Sequence, residues 1–235
     1  MDASWSAPLS GPGGVVGGLG AASGAKGTDP ATHRPRLLFV QMGGTIDKDY
    51  PAIHSGWAFE IAGPAVKRVL EKVFTGFTAE FVTVCAKDSM EVTDEDRDNL
   101  ANACSEATAS RIIVTHGTDT LVQTAQYISR LARGGAAGGA ERGSVGGGVE
   151  GKETILSASA AARLAAGLAD KVIVFTGAMR PQKFVDSDAS FNVGAAVGTC
   201  NVAAPGVYVT MGGRVFECNQ ASRNMETGEF IEKVE

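Results

Sequence analysis

Ile112-Ile113-Val114-Thr115-His116-Gly117-Thr118-Asp119-Thr120-Leu121 is the stretch on which the architecture turns. A short continuous apolar run meets a polar glycine turn. After it, Leu121, Val122, Ala125, Ile128 and Leu131 fall on one helical stripe. That is a strand buried on both faces, a turn and an amphipathic helix. The pattern recurs on either side. Leu37–Val40 runs into Gln41-Met42-Gly43-Gly44-Thr45, and Val172–Phe175 runs into Thr176-Gly177-Ala178-Met179-Arg180-Pro181. Phe81–Val84 and Gly206–Val209 read as further strands. Helices are expected over Pro64–Phe74, after a Thr93 cap with Asp96 three residues on, and from Ser187 to roughly Asn201. Strands alternating with amphipathic helices imply an α/β domain: a mostly parallel sheet covered by helices on both faces.

Glycine marks the limits of that domain. Eight of the 31 glycines lie between Gly11 and Gly27, and nine between Gly134 and Gly151. Residues 1–34 are therefore expected to be a disordered tail, and residues 134–152 a flexible Gly/Ala-rich insertion in a domain spanning 35–235. Glu153–Gly167 reads as a marginal Ala-rich helix, and Asn219–Glu235 as a polar tail.

Composition excludes several function classes. A net charge of −5 with scattered Lys and Arg offers no basic face for nucleic acid. No run approaches the length of a membrane helix, and the N-terminus lacks the features of a secretory signal, so a cytoplasmic protein is expected. The four cysteines form no CxxC pair and there are three histidines, so neither a zinc site nor another metal or cofactor is expected.

The polar turns carry the chemistry. Ligands of open α/β sheets sit at the carboxyl ends of strands, where these turns converge if their strands are parallel. Gly43-Gly44-Thr45 lets backbone approach a small ligand and sets a hydroxyl at the mouth of a cleft. It has neither Walker A nor GxGxxG spacing, so a nucleotide is disfavoured. In Gly117-Thr118-Asp119, a hydroxyl beside a carboxylate at a helix start suits an amine and an oxyanion, with simple helix capping as the alternative. His116 reads as a structural hydrogen-bond partner before a base. Tyr50, five residues after Thr45, can fold back over it.

Taken together, the chain resembles the bacterial-type L-asparaginase family. The resemblance is carried by GGTIDK at 43–48, KDSMEVTDEDR at 87–97, VTHGTDTL at 114–121, TGAMRP at 176–181, SDASFNVGAA at 187–196 and PGVYVTMGGRVF at 205–216. It implies the fold of the family's N-terminal domain, as in its short single-domain members, and hydrolysis of L-asparagine to L-aspartate and ammonia. It also implies Thr45 as nucleophile, Tyr50 as its activating tyrosine, and Thr118, Asp119 and Lys171 as a Thr-Lys-Asp triad. Gly44, Asp88, Ser89, Met90 and Gly117 are placed around the substrate, with Ser89 on its carboxylate and Asp119 on its amine. Met90 departs from the glutamine of the longer members. The implied partner is a small amino-acid amide, and the implied assembly a homo-oligomer. A glutaminase or other amidase of the family, and a catalytically silent amino-acid-binding module, stay open as alternatives.

Overall fold

The computed structural model describes residues 28–29, 31–50, 52–53, 56–57, 60–134 and 158–233. Most of the expected tail at 1–34 and of the expected insertion at 134–152 lies outside them.

The first half of the described chain runs β1 (Arg36–Gly43), four short strands β2 (Lys48–Asp49), β3 (Ala52–Ile53), β4 (Gly56–Trp57) and β5 (Glu60–Ile61), then α1 (Ala65–Leu70), β6 (Thr78–Lys87), α2 (Asp94–Glu106), β7 (Arg111–Thr115) and α3 (Leu121–Ala132). The second half runs α4 (Ala158–Leu168), β8 (Val172–Thr176), α5 (Ala189–Val202), β9 (Gly206–Met211), β10 (Arg214–Glu217), β11 (Ala221–Arg223) and β12 (Phe230–Glu232).

One six-stranded sheet organises the domain, in the order β10-β9-β8-β7-β1-β6. All neighbours pair parallel except β10, which folds back antiparallel on β9. Counting the parallel strands in chain order gives 2-1-3-4-5. This doubly wound arrangement reverses direction between β1 and β7, the switch point at which sheets of this kind place their ligands.

Alternation along the strands divides the core in two. Leu38, Val40, Ile112, Val114, Ile173 and Phe175 face α2, α3 and α4, where Leu100, Leu121, Ile128 and Leu164 meet them. Leu37, Phe39, Ile113 and Val174 face α1 and α5 through Val66, Val69, Val193 and Ala196. Each fully buried large side chain contributes roughly 1.5–3 kcal/mol. The uninterrupted apolar runs of β1, β7 and β8 follow from burial on both faces.

Local signals account for the helix ends. Thr93 and Asp96 form a reciprocal capping box at the start of α2, the Thr93 hydroxyl accepting from Asp96 N–H and the Asp96 carboxylate from Thr93 N–H. Helix α1 stops at Leu70, earlier than the apolar spacing through Phe74 suggests. Val73 and Phe74 are exposed, so the periodicity there meets no core to bury it. The polar segment after Asn219 is no tail. Its strands β11 and β12 pair antiparallel, Arg223 opposite Phe230. Asn224 Oδ1 organises the connection by accepting from Glu226 and Thr227 N–H, and Gly228 takes φ 76°.

Candidate active site

Strand register brings the candidate residues together. Gln41, Thr115 and Thr176 lie in one row across β1, β7 and β8. The turns that follow these strands therefore leave the sheet side by side, at its carboxyl edge and at the switch point. Glycine lets them touch. Gly44 has φ 85°, and a Cβ on it would lie 2.2 Å from Gly117 Cα. A Cβ on Gly117 would lie 2.5 Å from Ser89 Cβ, and one on Gly177 2.5 Å from the His116 carbonyl oxygen. Three backbone segments thus pack in direct contact, and no other residue fits at Gly44. Thr45 follows it and opens a single helical turn, Thr45–Asp47. Thr118 is buried, with its methyl beside Gly177.

Around this platform the polar side chains form a connected set. Ser89 Oγ donates to Asp119 Oδ2 at 3.2 Å, and Thr120 Oγ1 donates to the Ser89 carbonyl at 2.7 Å. Arg223 pairs with Asp119 through Nη1 and Oδ1. Lys48 ties the β1 turn to the β6 turn through Asp88, at 2.9 Å, and holds that carboxyl below its ordinary range. On the flank, Asp188 accepts from Met179 and Arg180 N–H and from Asn192, fixing the turn after β8.

Two buried groups underpin the turns. His116 Nδ1 lies 2.9 Å from the Gly117 carbonyl oxygen and Nε2 3.0 Å from Thr124 Oγ1, while Arg97 Nε donates to that same hydroxyl at 3.2 Å. The carbonyl requires an N–H at Nδ1, so Nε2 accepts from Thr124. Burial pushes the imidazole down to about 4, and it stays neutral near pH 7. His116 thus holds the turn rather than exchanging protons. Asp47 is also buried. Its Oδ1 accepts from Ala65 N–H at the start of α1, and Oδ2 has no partner among the described residues. Desolvation pushes its carboxyl up to about 6, opposed by the Ala65 hydrogen bond.

Of the residues singled out in the sequence, Gly44, Thr45, Ser89, Gly117, Thr118 and Asp119 converge. Lys171 does not. It precedes β8, at the opposite edge of the sheet, and Thr176 lies roughly 16 Å further along the strand direction at about 3.3 Å per residue. Its ammonium donates to the carbonyls of Ala107 and Ala109, just past the carboxyl end of α2, where a cation also complements the helix dipole. The structure therefore does not bring Lys171 to Thr118 and Asp119, the other two members of the triad that the resemblance implies. Asp88 turns its carboxylate to Lys48 and to the cap of its own turn, Met90 points to solvent at 74% exposure, and Tyr50 sits at the rim, 47% exposed. The residue that sequence reasoning missed is Arg223, hidden in the segment read as a tail. The one local signal there is the turn chemistry of Asn224 to Gly228, which by itself does not distinguish a hairpin from a polar loop. Among the described residues no group of three or more His, Cys, Asp or Glu side chains is placed to hold a metal ion, and no helix is long and apolar enough to cross a membrane.

A doubly wound sheet whose glycine-packed turns bring Thr45, Thr118 and Asp119 to the switch point defines an α/β domain of the kind that holds ligands at the carboxyl ends of its strands. The chain matches the asparaginase family, N-terminal domain, over residues 36–137 and 149–230, and it belongs to that family. No protein of curated description matches it in sequence. Among solved structures it is similar to the thermostable L-asparaginase of Thermococcus kodakarensis, with TM-score 0.59 and 20% identity over 84% of this chain and 51% of that one. L-asparaginase I of Vibrio cholerae gives TM-score 0.60 and 17% identity over 85% and 51%. The probable cytoplasmic L-asparaginase of Campylobacter jejuni gives 0.58 and 20% over 84% and 52%. At these identities the likeness is one of fold, and the chain spans about half the length of these structures.

Proposed function

We propose that the domain is an amidohydrolase that cleaves the side-chain amide of asparagine-type substrates and releases ammonia. The observation that carries this reading is the meeting of Gly44-Thr45 with Gly117-Thr118-Asp119 at the switch point, with Ser89 bonded to the same carboxylate. In this reading the Thr45 hydroxyl adds to the amide carbonyl carbon. Its proton passes by way of Tyr50 to the departing nitrogen, and ammonia leaves. Water then cleaves the Thr45 ester, giving the free carboxylate and restoring the hydroxyl. Thr118 lies ahead of α3, where backbone N–H groups and the helix dipole favour the oxyanion. Arg223 places a guanidinium on Asp119, and Lys48 an ammonium on Asp88.

The test is ammonia release from a panel of ω-amides, L-asparagine and L-glutamine included. Thr45→Ala and Thr118→Ala are each expected to lower kcat at least about a hundredfold. A Thr45→Ala protein as active as the wild type sinks the nucleophile assignment, and silence of the wild type toward every amide sinks the hydrolase reading. A second reading, a binding module without catalysis, is favoured by one observation: the family-implied Lys171 lies at the wrong edge of the sheet.

A further inference from the structure

Thr45 and Asp47 share one helical turn that is too short to hold itself in place. Its own bonds run from Asp47 N–H to the Gly44 carbonyl, at 3.1 Å, and from Lys48 N–H to the Thr45 carbonyl. The rest of its seating comes from other segments. Gln182 N–H donates to the Ile46 carbonyl at 3.1 Å, and Ala62 N–H to the Asp47 carbonyl at 3.0 Å. The Asp47 side chain, fully buried, accepts from Ala65 N–H through Oδ1 at 2.7 Å and so ties the turn to the start of α1. Of these bonds only the last can change with the charge of a side chain.

This tie costs the fold stability. Burial away from water disfavours the carboxylate and pushes it up to about 6. Its second oxygen, Oδ2, has no partner among the described residues. An amide in its place could accept from Ala65 N–H without any buried charge. The Ala65 hydrogen bond, Gln41, the Arg68 guanidinium on α1 and Thr115 all favour ionisation, and together they do not outweigh burial. The guanidinium is itself engaged, with Nε donating to Gln182 Oε1 at 2.6 Å. Lys183, on the segment after β8, is paired with Asp49, and Glu60 on β5 is exposed. A destabilising carboxylate two residues from the nucleophile is the kind of group that a fold keeps for function.

Resting on the amidohydrolase reading, we propose that Asp47 is a positioning residue, whose ionised carboxylate grips the first N–H of α1 and so holds the Thr45 hydroxyl in line for attack, and whose protonation slackens the turn and slows the reaction. A hydrogen bond to an ionised acceptor is roughly twice as strong as one between neutral groups, so the grip weakens when the carboxyl takes a proton. Asp47 does not reach the substrate. Its state therefore acts on the geometry of attack and not on binding.

Asp47→Asn keeps an acceptor for Ala65 N–H and is locked in the neutral state. The experiment measures kcat and KM for L-asparagine and L-glutamine on the full chain from about pH 8 to about pH 5, beside the urea stability of each protein. Wild-type kcat is expected to fall about fivefold or more across that range with its midpoint near the Asp47 value of about 6, while KM changes less than about threefold. Asp47→Asn is expected to be slower than wild type by the same factor at the upper end, equal to it at the lower end, and flat between. It is also expected to be the more stable protein at the upper end, and a slower but more stable variant is not the result of a merely structural role. An Asn variant as fast as wild type, or one whose kcat falls in parallel with it, overturns the proposal. If neither amide is hydrolysed, the amidohydrolase reading fails on these substrates, and the backbone amide resonances of Thr45 and Ile46 decide. A shift with its midpoint at about 6 in wild type that is missing from Asp47→Asn sustains the positioning role. Persistence of the shift in the variant refutes it, and so does its absence from wild type, even if the variant fails to fold.

Discussion

His116 and Asp47 are two buried titratable groups whose effects on stability oppose each other, and the opposition is measurable. The imidazole is held at about 4 against an ordinary 6.5. The unfolded chain therefore takes up a proton as pH falls through 6.5 while the folded chain does not, and stability is lost down to about pH 4. The Asp47 carboxyl is held at about 6 against an ordinary 3.8. Here the folded chain takes the proton first, so stability is gained as pH falls from about 6 to 3.8. At about 1.36 kcal/mol per pH unit, each gap is worth about 3 kcal/mol. The two nearly cancel between pH 4 and 6.5.

Substitution removes one side of the balance at a time. In His116→Asn the amide nitrogen can still donate to the Gly117 carbonyl. This variant is expected to gain about 3 kcal/mol of stability between pH 6.5 and 4, relative to wild type over the same interval. Asp47→Asn can still accept from Ala65 N–H and is expected to lose about as much over that interval, after starting more stable than wild type near pH 7. Urea denaturation followed by far-UV circular dichroism at several pH values reads both. The carboxylates held low by partners, such as Asp88 beside Lys48, act below the ordinary 3.8 and leave this window undisturbed. Variants whose pH profiles run parallel to wild type would show that neither group titrates as its burial demands.

Three other outcomes follow from the site. Lys171→Met leaves the Ala107 and Ala109 carbonyls without their charged donor and is expected to lower unfolding free energy by about 1–3 kcal/mol, while ammonia release per folded molecule stays at the wild-type rate; a collapse of kcat with stability intact would return Lys171 to the chemistry. Gly44→Ala places a methyl against Gly117 at positive φ and is expected to abolish activity and lower the melting temperature, checked by thermal denaturation beside the assay. Ser89→Ala removes the hydroxyl that donates to Asp119 and is expected to raise KM about tenfold or more with a smaller change in kcat.

The sheet was legible because its signals are periodic and its burial two-sided. Leu37–Val40, Ile112–Val114 and Val172–Phe175 are apolar without alternation, as strands covered on both faces must be, and the polar residues begin where each strand ends. The same logic located Gly44, Thr45, Gly117, Thr118 and Asp119, since parallel strands put their following turns on one edge. Helix α1 was overextended because Val73 and Phe74 keep the helical spacing and yet find no partner surface. The β11–β12 hairpin was missed for the opposite reason: three-residue strands are too short to show alternation, and Asn224 to Gly228 reads as any polar loop.

Lys171 and Arg223 show where sequence logic stops. A lysine just before a strand lies, by the direction of a parallel sheet, at the edge away from the ligand. Residue spacing drawn from a family resemblance cannot override that geometry. Arg223 reaches Asp119 because β10 turns the chain back along β9 and the hairpin then packs on α3. The platform of threonines and glycines is set by rigid strands, and its chemistry is fixed by register. The cation paired with Asp119 comes from a peripheral hairpin instead, where one residue can change without disturbing the sheet. Thr45 and the cation paired with Asp119 thus sit on separable parts of the fold, the first on a turn of the central sheet and the second on the hairpin.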